Sequence, residues 1–366
     1  MVIIVIFLTV FIIFSKNYLL SSSIKESKRI ISSPIPSMVL KAQKDNTKPM
    51  FSVSKSIFVP YWALGQDNLS VVHYDNVYYF GVSADQNGII QEDQGYKTLE
   101  RHNCPNSQEC ILVLRMLDQR TSLEILQSTK LQQTIITESL QLAQEHFFTG
   151  VALDLEISGF VQVDVKEQIN IFVQLFSTSA KKDYKTFSFI VYGDVFYRNR
   201  PYDVKFIANH SDEVMIMAYD FSKPYGEPGS NFPFDRRSLG EGGNDYYGYD
   251  FQTMIADFKK HVDPQKTTVI FGMYGYDWTL NSQGTPLKRA EAITVKQIES
   301  IKSLKSVKSI KSKVDNNSKE KKIEYTDKEG QKHVIFYEDE ESVSVKTNYL
   351  REQGIGSISF WAYSYF

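Results

Sequence analysis

Residues 148–156 read Phe-Thr-Gly-Val-Ala-Leu-Asp-Leu-Glu, an apolar run that ends in two carboxylates, Asp154 and Glu156, spaced i and i+2. Side chains of an extended strand alternate faces, so both acids share one face with Ala152, while Val151, Leu153 and Leu155 take the other. Two neighbouring carboxylates disfavour simultaneous ionisation, and the one that keeps its proton near neutral pH can act as a general acid. Such a pair is equipped to cleave an acetal. A parallel strand whose last residues simply meet solvent would carry the same spacing, so the pair alone leaves both readings open.

Acids that work together need a rigid frame. Eight short apolar runs read as strands: Ile57–Tyr61, Val77–Gly81, Ile111–Arg115, Val151–Glu156, Phe187–Tyr192, Val214–Tyr219, Thr268–Met273 and Ile355–Trp361. Helical periodicity runs through Leu123 to Phe147, Val165 to Ser179 and Tyr247 to His261, and Thr294-Val-Lys-Gln297 has the form of a capping box. Strands alternating with helices imply parallel βα units, and eight of them predict an α/β fold closed as a (β/α)8 TIM barrel. The site of such a barrel lies at the C-terminal strand ends, where Asp154, Glu156, Tyr219 and Trp361 all fall.

The expected organisation is a signal peptide or membrane anchor at 1–20, a flexible spacer at 21–52 and the barrel at 53–366. Residues 2–14 form an uncharged apolar run, short for a spanning helix of ~20 residues and suited to a signal-peptide core. Continued through Leu20, the run is long enough for a retained anchor; either form places the domain outside the cytoplasm. Ser-, Lys- and Pro-rich composition marks the spacer. Within the barrel, 297–345 departs from the rhythm. Ile301–Lys313 repeats apolar-Lys-Ser with a period of three, which predicts a seventh barrel helix fraying into a basic, flexible linker. Lys322–Tyr325 and His333–Tyr337 then read as a β-hairpin inserted before the last strand, beside the cleft mouth.

A formal net charge of −2 over 366 residues gives no electrostatic case for nucleic acid. The aromatic share, with 24 Phe and 22 Tyr, suits a sugar-binding cleft, although most of those rings must serve the core. Cys104 and Cys110 make a poor metal site by themselves, and form either a small-loop disulfide in an exported protein or two free thiols. No metal and no cofactor is expected.

Further motifs follow in order: Met215-Ile-Met-Ala-Tyr-Asp220, Phe271-Gly-Met-Tyr-Gly-Tyr-Asp-Trp278, His333-Val-Ile-Phe-Tyr-Glu-Asp339 with Ser342, and Gly354-Ile-Gly-Ser-Ile-Ser-Phe-Trp361. With residues 148–156 they resemble glycoside hydrolase family 18, the chitinase-like enzymes, and within it the bacterial spore-cortex-lytic, N-acetylglucosaminidase-like branch. The family's active-site strand reads D-G-x-D-x-D-x-E. Gly150, Asp154 and Glu156 match it, while Thr149 and Ala152 stand where the family has its first two aspartates.

The resemblance, which runs from about residue 55 to the C-terminus, implies substrate-assisted chemistry in which the acetamido oxygen of the sugar attacks its own anomeric carbon. It implies that Glu156 is the general acid and then the base. Asp154 would orient the acetamide, Tyr219 donate to the acetamido oxygen, Asp220 bond sugar hydroxyls and Trp361 form the pocket floor. Met217, Tyr61, Tyr192, Tyr274 and Trp278 are further candidates for the cleft wall, or for the core, and Glu338 is a candidate beside the cleft mouth, or part of an exposed hairpin tip. The expected function is hydrolysis of β-1,4-linked N-acetylglucosamine polymers, peptidoglycan or chitin. The alternative is a catalytically weak glycan-binding relative, a lectin. The expected partners are an N-acetylglucosamine-containing polysaccharide and, if the N-terminal segment is retained, a membrane. Ala152 implies an altered proton relay, through Thr149 or water. It also leads to the expectation that Ala152→Asp raises turnover at small structural cost, by placing a carboxyl in a polar barrel top.

Overall fold

Eight of the apolar runs close into one parallel sheet. A computed structural model describes residues 52–64, 70–99, 108–159, 161, 164–235, 248–304 and 307–366, within a folded unit that spans Met50–Phe366. The leader, all but the last residue of the spacer, and Cys104 lie outside the described residues. Cys110 is fully buried.

The chain begins with β1 (Ser54–Pro60), β2 (Asn76–Asp85), β3 (Gly88–Ile89), α1 (Gln94–Lys97) and β4 (Glu109–Met116). It continues through α2 (Gln119–Leu126), α3 (Thr129–Glu145), β5 (Gly150–Leu155), α4 (Val165–Lys182), β6 (Thr186–Tyr192), α5 (Val204–His210), β7 (Glu213–Met217) and α6 (Phe251–Phe258). The last part comprises β8 (Thr267–Gly272), β9 (Tyr274–Leu280), β10 (Glu291–Thr294), α7 (Val295–Ser303), β11 (Lys308–Val314), β12 (Lys321–Thr326), β13 (Lys332–Tyr337), α8 (Glu340–Glu352) and β14 (Ser357–Trp361). Strand order β1-β14-β8-β7-β6-β5-β4-β2 is closed by parallel β1–β2 pairing, which makes the eight-stranded barrel. β3 adds to β2 as a short antiparallel edge.

Alternation along the strands divides the apolar residues into two bodies. Outward-facing Val151, Leu153 and Leu155 join Ile135, Phe172 and Phe176 of α3 and α4 in the core between sheet and helices. Inward-facing Ala152 joins Phe58, Tyr78, Val113, Ile190 and Met215 inside the barrel. Beneath that layer, Glu213 accepts hydrogen bonds from the Tyr78 hydroxyl at 2.6 Å and the Ser188 hydroxyl at 2.9 Å. The expected long helix from Leu123 is divided in two, because the Ser128 side chain caps the N-terminus of α3 by accepting from Leu131 N–H.

The segment between β8 and α8 is larger than the hairpin expected. β12 and β13 do pair as an antiparallel hairpin, but inside a five-stranded antiparallel sheet of order β10-β9-β13-β12-β11. The Thr294–Gln297 capping box opens α7 as read from the sequence. That helix, however, buries Ile298 against Ile323, Ile335 and Tyr337 of the inserted sheet and is not the seventh helix of the barrel. Nor is Ile301–Lys313 a fraying helix and flexible linker: α7 stops at Ser303, and Lys308–Val314 pairs with β12 as an edge strand. Once a partner strand is present the apolar-Lys-Ser repeat is sorted in twos, and Ile310 packs on the small sheet core. The helix that returns from β8 to β14 is α8.

A fully buried charge cluster ties the insertion to the barrel. Lys346 on α8 donates to Glu338 at 2.6 Å, to Glu320 at 3.0 Å and to the Phe232 carbonyl at 3.1 Å. Glu320 also accepts from the backbone N–H of Asn231 and Phe232. Burial, acting against the Lys346 charge, pushes Glu338 up to about 7. Removing the cation leaves two carboxylates buried without it. Lys346→Met is therefore expected to cost about 3–5 kcal/mol of unfolding free energy in denaturant titrations; a loss under about 1 kcal/mol would contradict the assigned role.

Candidate active site

β5 stacks Ala152, Asp154 and Glu156 on the inner face of the barrel, and the next strands bring their neighbours. Asp154 is only 4% exposed, and its Oδ1 has no hydrogen-bond partner among the described residues. Glu156 follows the last strand residue, fixed by its N–H to the Met116 carbonyl at 3.0 Å, and its Oε2 accepts the Tyr192 hydroxyl at 2.9 Å. Burial is the largest influence on both acids and raises both above the ordinary carboxylate range. The charge of Glu156 raises Asp154 further, while Arg115 pulls it down. At Glu156 the Tyr192 hydrogen bond works against burial and the charge of Asp220 adds to it. A pair held this way retains a proton where isolated carboxylates have lost theirs.

Two compartments meet at Glu156, Tyr219 and Asp220. The smaller, about 330 Å³, is bounded by Asp154, Trp62, Phe80 and Trp361. The larger, about 790 Å³, runs past Tyr192, Met217, Lys223, Tyr276 and Arg289. The Trp361 ring packs edge-on to Phe80 at 4.6 Å and tilts against Phe58 at 5.7 Å, so its orientation is set by the barrel core. Gly272 on β8 leaves the room that Tyr219 occupies, since a Cβ there would stand 2.7 Å from the Tyr219 Cβ. Burial and the charges of Asp154 and Glu156 together raise the Tyr219 hydroxyl well above its ordinary value. It therefore stays a donor. Asp220 has φ +57°, a left-handed conformation that Asp tolerates better than most residues. Its Oδ1 accepts the hydroxyls of Tyr274 and of Tyr276, the latter at 2.8 Å.

The structure thus brings Asp154, Glu156, Tyr192, Met217, Tyr219, Asp220, Tyr274 and Trp361 to one cleft. Three other candidates stand elsewhere. Tyr61 lies past the end of β1 in a short helical turn, packed on the Trp62 ring and under the Arg115 guanidinium; Trp62 reaches the cleft in its place. Trp278 is fully buried, its Nε1 donating to the Gly226 carbonyl, and it supports the loop after β7 from below. Glu338 belongs to the buried Lys346 cluster and is neither a cleft residue nor an exposed hairpin tip, because β13 ends inside the insertion–barrel junction. Thr149 cannot serve as a relay: it sits at the opposite end of β5, about 16 Å of strand from Asp154, and donates to the Cys110 carbonyl. Ala152 lies in an apolar layer, not a polar barrel top.

Several residues in or behind the cleft carry no periodic or motif signal. Asn231 donates from Nδ2 to the carbonyls of Gly272 at 3.1 Å and Tyr274 at 2.6 Å, which locks β8 and β9 to the loop after β7. Arg198 and Arg200 both engage Asp194, and Arg200 stacks 3.6 Å from the Tyr192 ring centre. Lys223 and Arg289 are single basic residues in loops; only the fold brings them to the cleft.

The sequence model described as glycosyl hydrolases family 18 matches residues 73–365. A cortical fragment-lytic enzyme of Bacillus anthracis is 25% identical over 245 residues, 65% of this chain and 51% of the relative, so the match spans about half of that protein's length. The Bacillus cereus spore cortex-lytic enzyme SleL has the same fold, with a TM-score of 0.68 at 20% identity over 87% of this chain and 72% of that one. A chitinase from Cycas revoluta, solved in complex with (GlcNAc)3, gives a TM-score of 0.70 at 18% identity over 84% of this chain and 94% of that one.

Two measurements check this geometry. The Tyr192 hydrogen bond favours the charged form of Glu156, so its loss in Tyr192→Phe should raise the Glu156 pKa further. Carbon-13 NMR titration of the carboxyl reads the shift; an unchanged or lowered value would contradict the assignment. Ala152→Asp puts a carboxyl among Phe58, Val113 and Met215. In place of the small cost expected from the sequence, it should lower stability by about 3 kcal/mol or more. A loss under about 1 kcal/mol in denaturant melts would show the layer to be more polar than it looks.

Proposed function

This chain belongs to the glycosyl hydrolases family 18, and we propose that it hydrolyses β-1,4-linked polymers of N-acetylglucosamine by substrate-assisted, retaining catalysis. The observation that carries the reading is the buried Asp154–Glu156 pair at the junction of two compartments, with Tyr219 beside it. A polymer laid through the junction has sugars on both sides of Glu156.

In the first step the acetamido oxygen of the sugar over Trp361 attacks its own anomeric carbon. The bond to the leaving sugar oxygen breaks as Glu156 gives that oxygen its proton. The unpartnered Oδ1 of Asp154 accepts the acetamide N–H and faces the cation as it forms, while the Tyr219 hydroxyl donates to the acetamido oxygen. In the second step Glu156, now a carboxylate, takes a proton from water as the water oxygen bonds to the anomeric carbon and the oxazoline ring opens. The apolar layer at Ala152 means that Asp154 has no acid beneath it to share a proton with.

Peptidoglycan is the better substrate class, since a curated relative is described as cortical fragment-lytic and a structural relative as spore cortex-lytic, and chitin is the runner-up, on the likeness to the Cycas chitinase. The apolar run at 2–14 supports an extracytoplasmic site of action, with the leader cleaved or kept as an anchor; N-terminal sequencing of protein recovered from expressing cells distinguishes the two, and finding it only in the cytosol would refute both. The loss of acids at Thr149 and Ala152 favours the second reading, a glycan-binding protein without turnover.

Incubation with N-acetylglucosamine oligomers and with glycan strands from cell walls separates these readings. Wild type is expected to release shorter oligomers, and Glu156→Gln to lose roughly 10²–10⁴-fold in kcat while still binding. Equal cleavage by both proteins would remove Glu156 from its role. Binding without cleavage by either would establish the lectin.

A further inference from the structure

The two compartments of the cleft differ in charge. Arg115, the one cation among the described residues around the smaller compartment, is paired with Asp93 at 2.5 Å. The larger compartment gathers Arg198, Arg200, Lys223 and Arg289. Asp194 is shared by Arg198 and Arg200, and Asp220 is occupied by two tyrosine hydroxyls. Lys223 and Arg289 are left without an ion pair or side-chain hydrogen bond among the described residues. Lys223 is half-buried, and loss of water lowers its ammonium below the ordinary lysine value, with Asp220 acting the other way. Asp194 acts on it in the same sense as Asp220, yet neither makes an ion pair with it, so a ligand anion in contact would compensate the lost water.

Both residues line the larger compartment, and the segments that carry them are tied together. Ala290 N–H donates to the Pro224 carbonyl at 2.7 Å, which fastens the strand of chain carrying Arg289 to the loop carrying Lys223. Tyr276, between them and Asp220, feels the Arg289 charge. The arrangement faces the compartment on the far side of Glu156 from Trp361.

We propose that Lys223 and Arg289 form a carboxylate-binding subsite, which makes the cleft prefer N-acetylglucosamine polymers whose neighbouring sugar carries an acidic group over uncharged ones. This rests on the reading of the cleft as a glycan-hydrolysing site. The sugar over Trp361 needs an acetamide and no charge; the sugar across Glu156 meets an ammonium and a guanidinium, of which the latter can take a carboxylate by two parallel hydrogen bonds. The carboxylate can belong to a lactyl ether on the sugar itself or to a peptide attached to it.

The test uses four substrates: a chitotetraose, peptide-free strands alternating N-acetylglucosamine with its lactyl-ether derivative, the same strands with the lactyl carboxyls amidated, and peptide-bearing strands. kcat/KM is measured for the full chain, for Lys223→Gln, Arg289→Gln and the double variant, with thermal melts to confirm folding. Wild type is expected to prefer free-carboxylate strands over amidated ones by tenfold or more, with the preference shrinking as salt rises and falling toward one in the double variant. If the variant-sensitive preference belongs to the peptide-bearing strands instead, the peptide is the source of the carboxylate. Equal rates on free and amidated strands with no gain from the peptide, or a preference that survives in the double variant, would overturn the subsite. If wild type cleaves none of the substrates, the hydrolase reading fails separately, and the same preference measured as Kd by calorimetry still decides the subsite.

Discussion

Closure of the barrel forces Asp154 and Glu156 to face one enclosed space, and the energetic consequences of that burial run through the whole site. Asp154 is buried and Glu156 half-buried at the cleft, and no basic side chain makes an ion pair with either among the described residues. The charged forms are penalised, and a proton stays. What tunes the pair is local: the Tyr192 hydroxyl and the charges of Asp220 and Lys223 on Glu156, and the charges of Glu156 and Arg115 on Asp154. The Oδ1 of Asp154, buried without a partner among the described residues, is the acceptor that the proposed mechanism assigns to the substrate amide.

The inserted sheet shapes what surrounds the pair. β9 begins one residue after β8 ends, so Tyr274 and Tyr276 are carried from the barrel top straight over the cleft to Asp220. Their position depends on Asn231, and Asn231 depends on Glu320, which Lys346 neutralises from α8. A buried ion cluster some distance from the chemistry thus sets the wall of the site. Such a cluster is conditional: its members stabilise one another only while all are present.

The sequence made the barrel legible because eight runs of strand-forming residues kept their order and each acid sat at a strand end. Period-two alternation on β5 was enough to place Ala152, Asp154 and Glu156 on the inner face. The insertion was read only in part. Ile301–Lys313 has a period that suits neither helix nor strand, and the partner strand that settles it lies beyond it in the chain. Trp278 and Glu338 sit in motif-like stretches, yet their burial follows from tertiary packing that no local pattern reports. Lys223, Arg289 and Asn231 are single polar residues in loops, and only the closed fold reveals what they face.

The proposed attack by the substrate's own acetamide would leave a stereochemical record. Proton NMR of the first product released from a β-linked N-acetylglucosamine oligomer, taken before mutarotation, reads the configuration of the new reducing end. Two successive inversions, by the acetamide on one face and then by water on the face the leaving sugar vacated, predict the β-anomer. An α-anomer as the first product would mean that water attacked directly from the opposite face, and would contradict the roles given to Asp154 and Glu156.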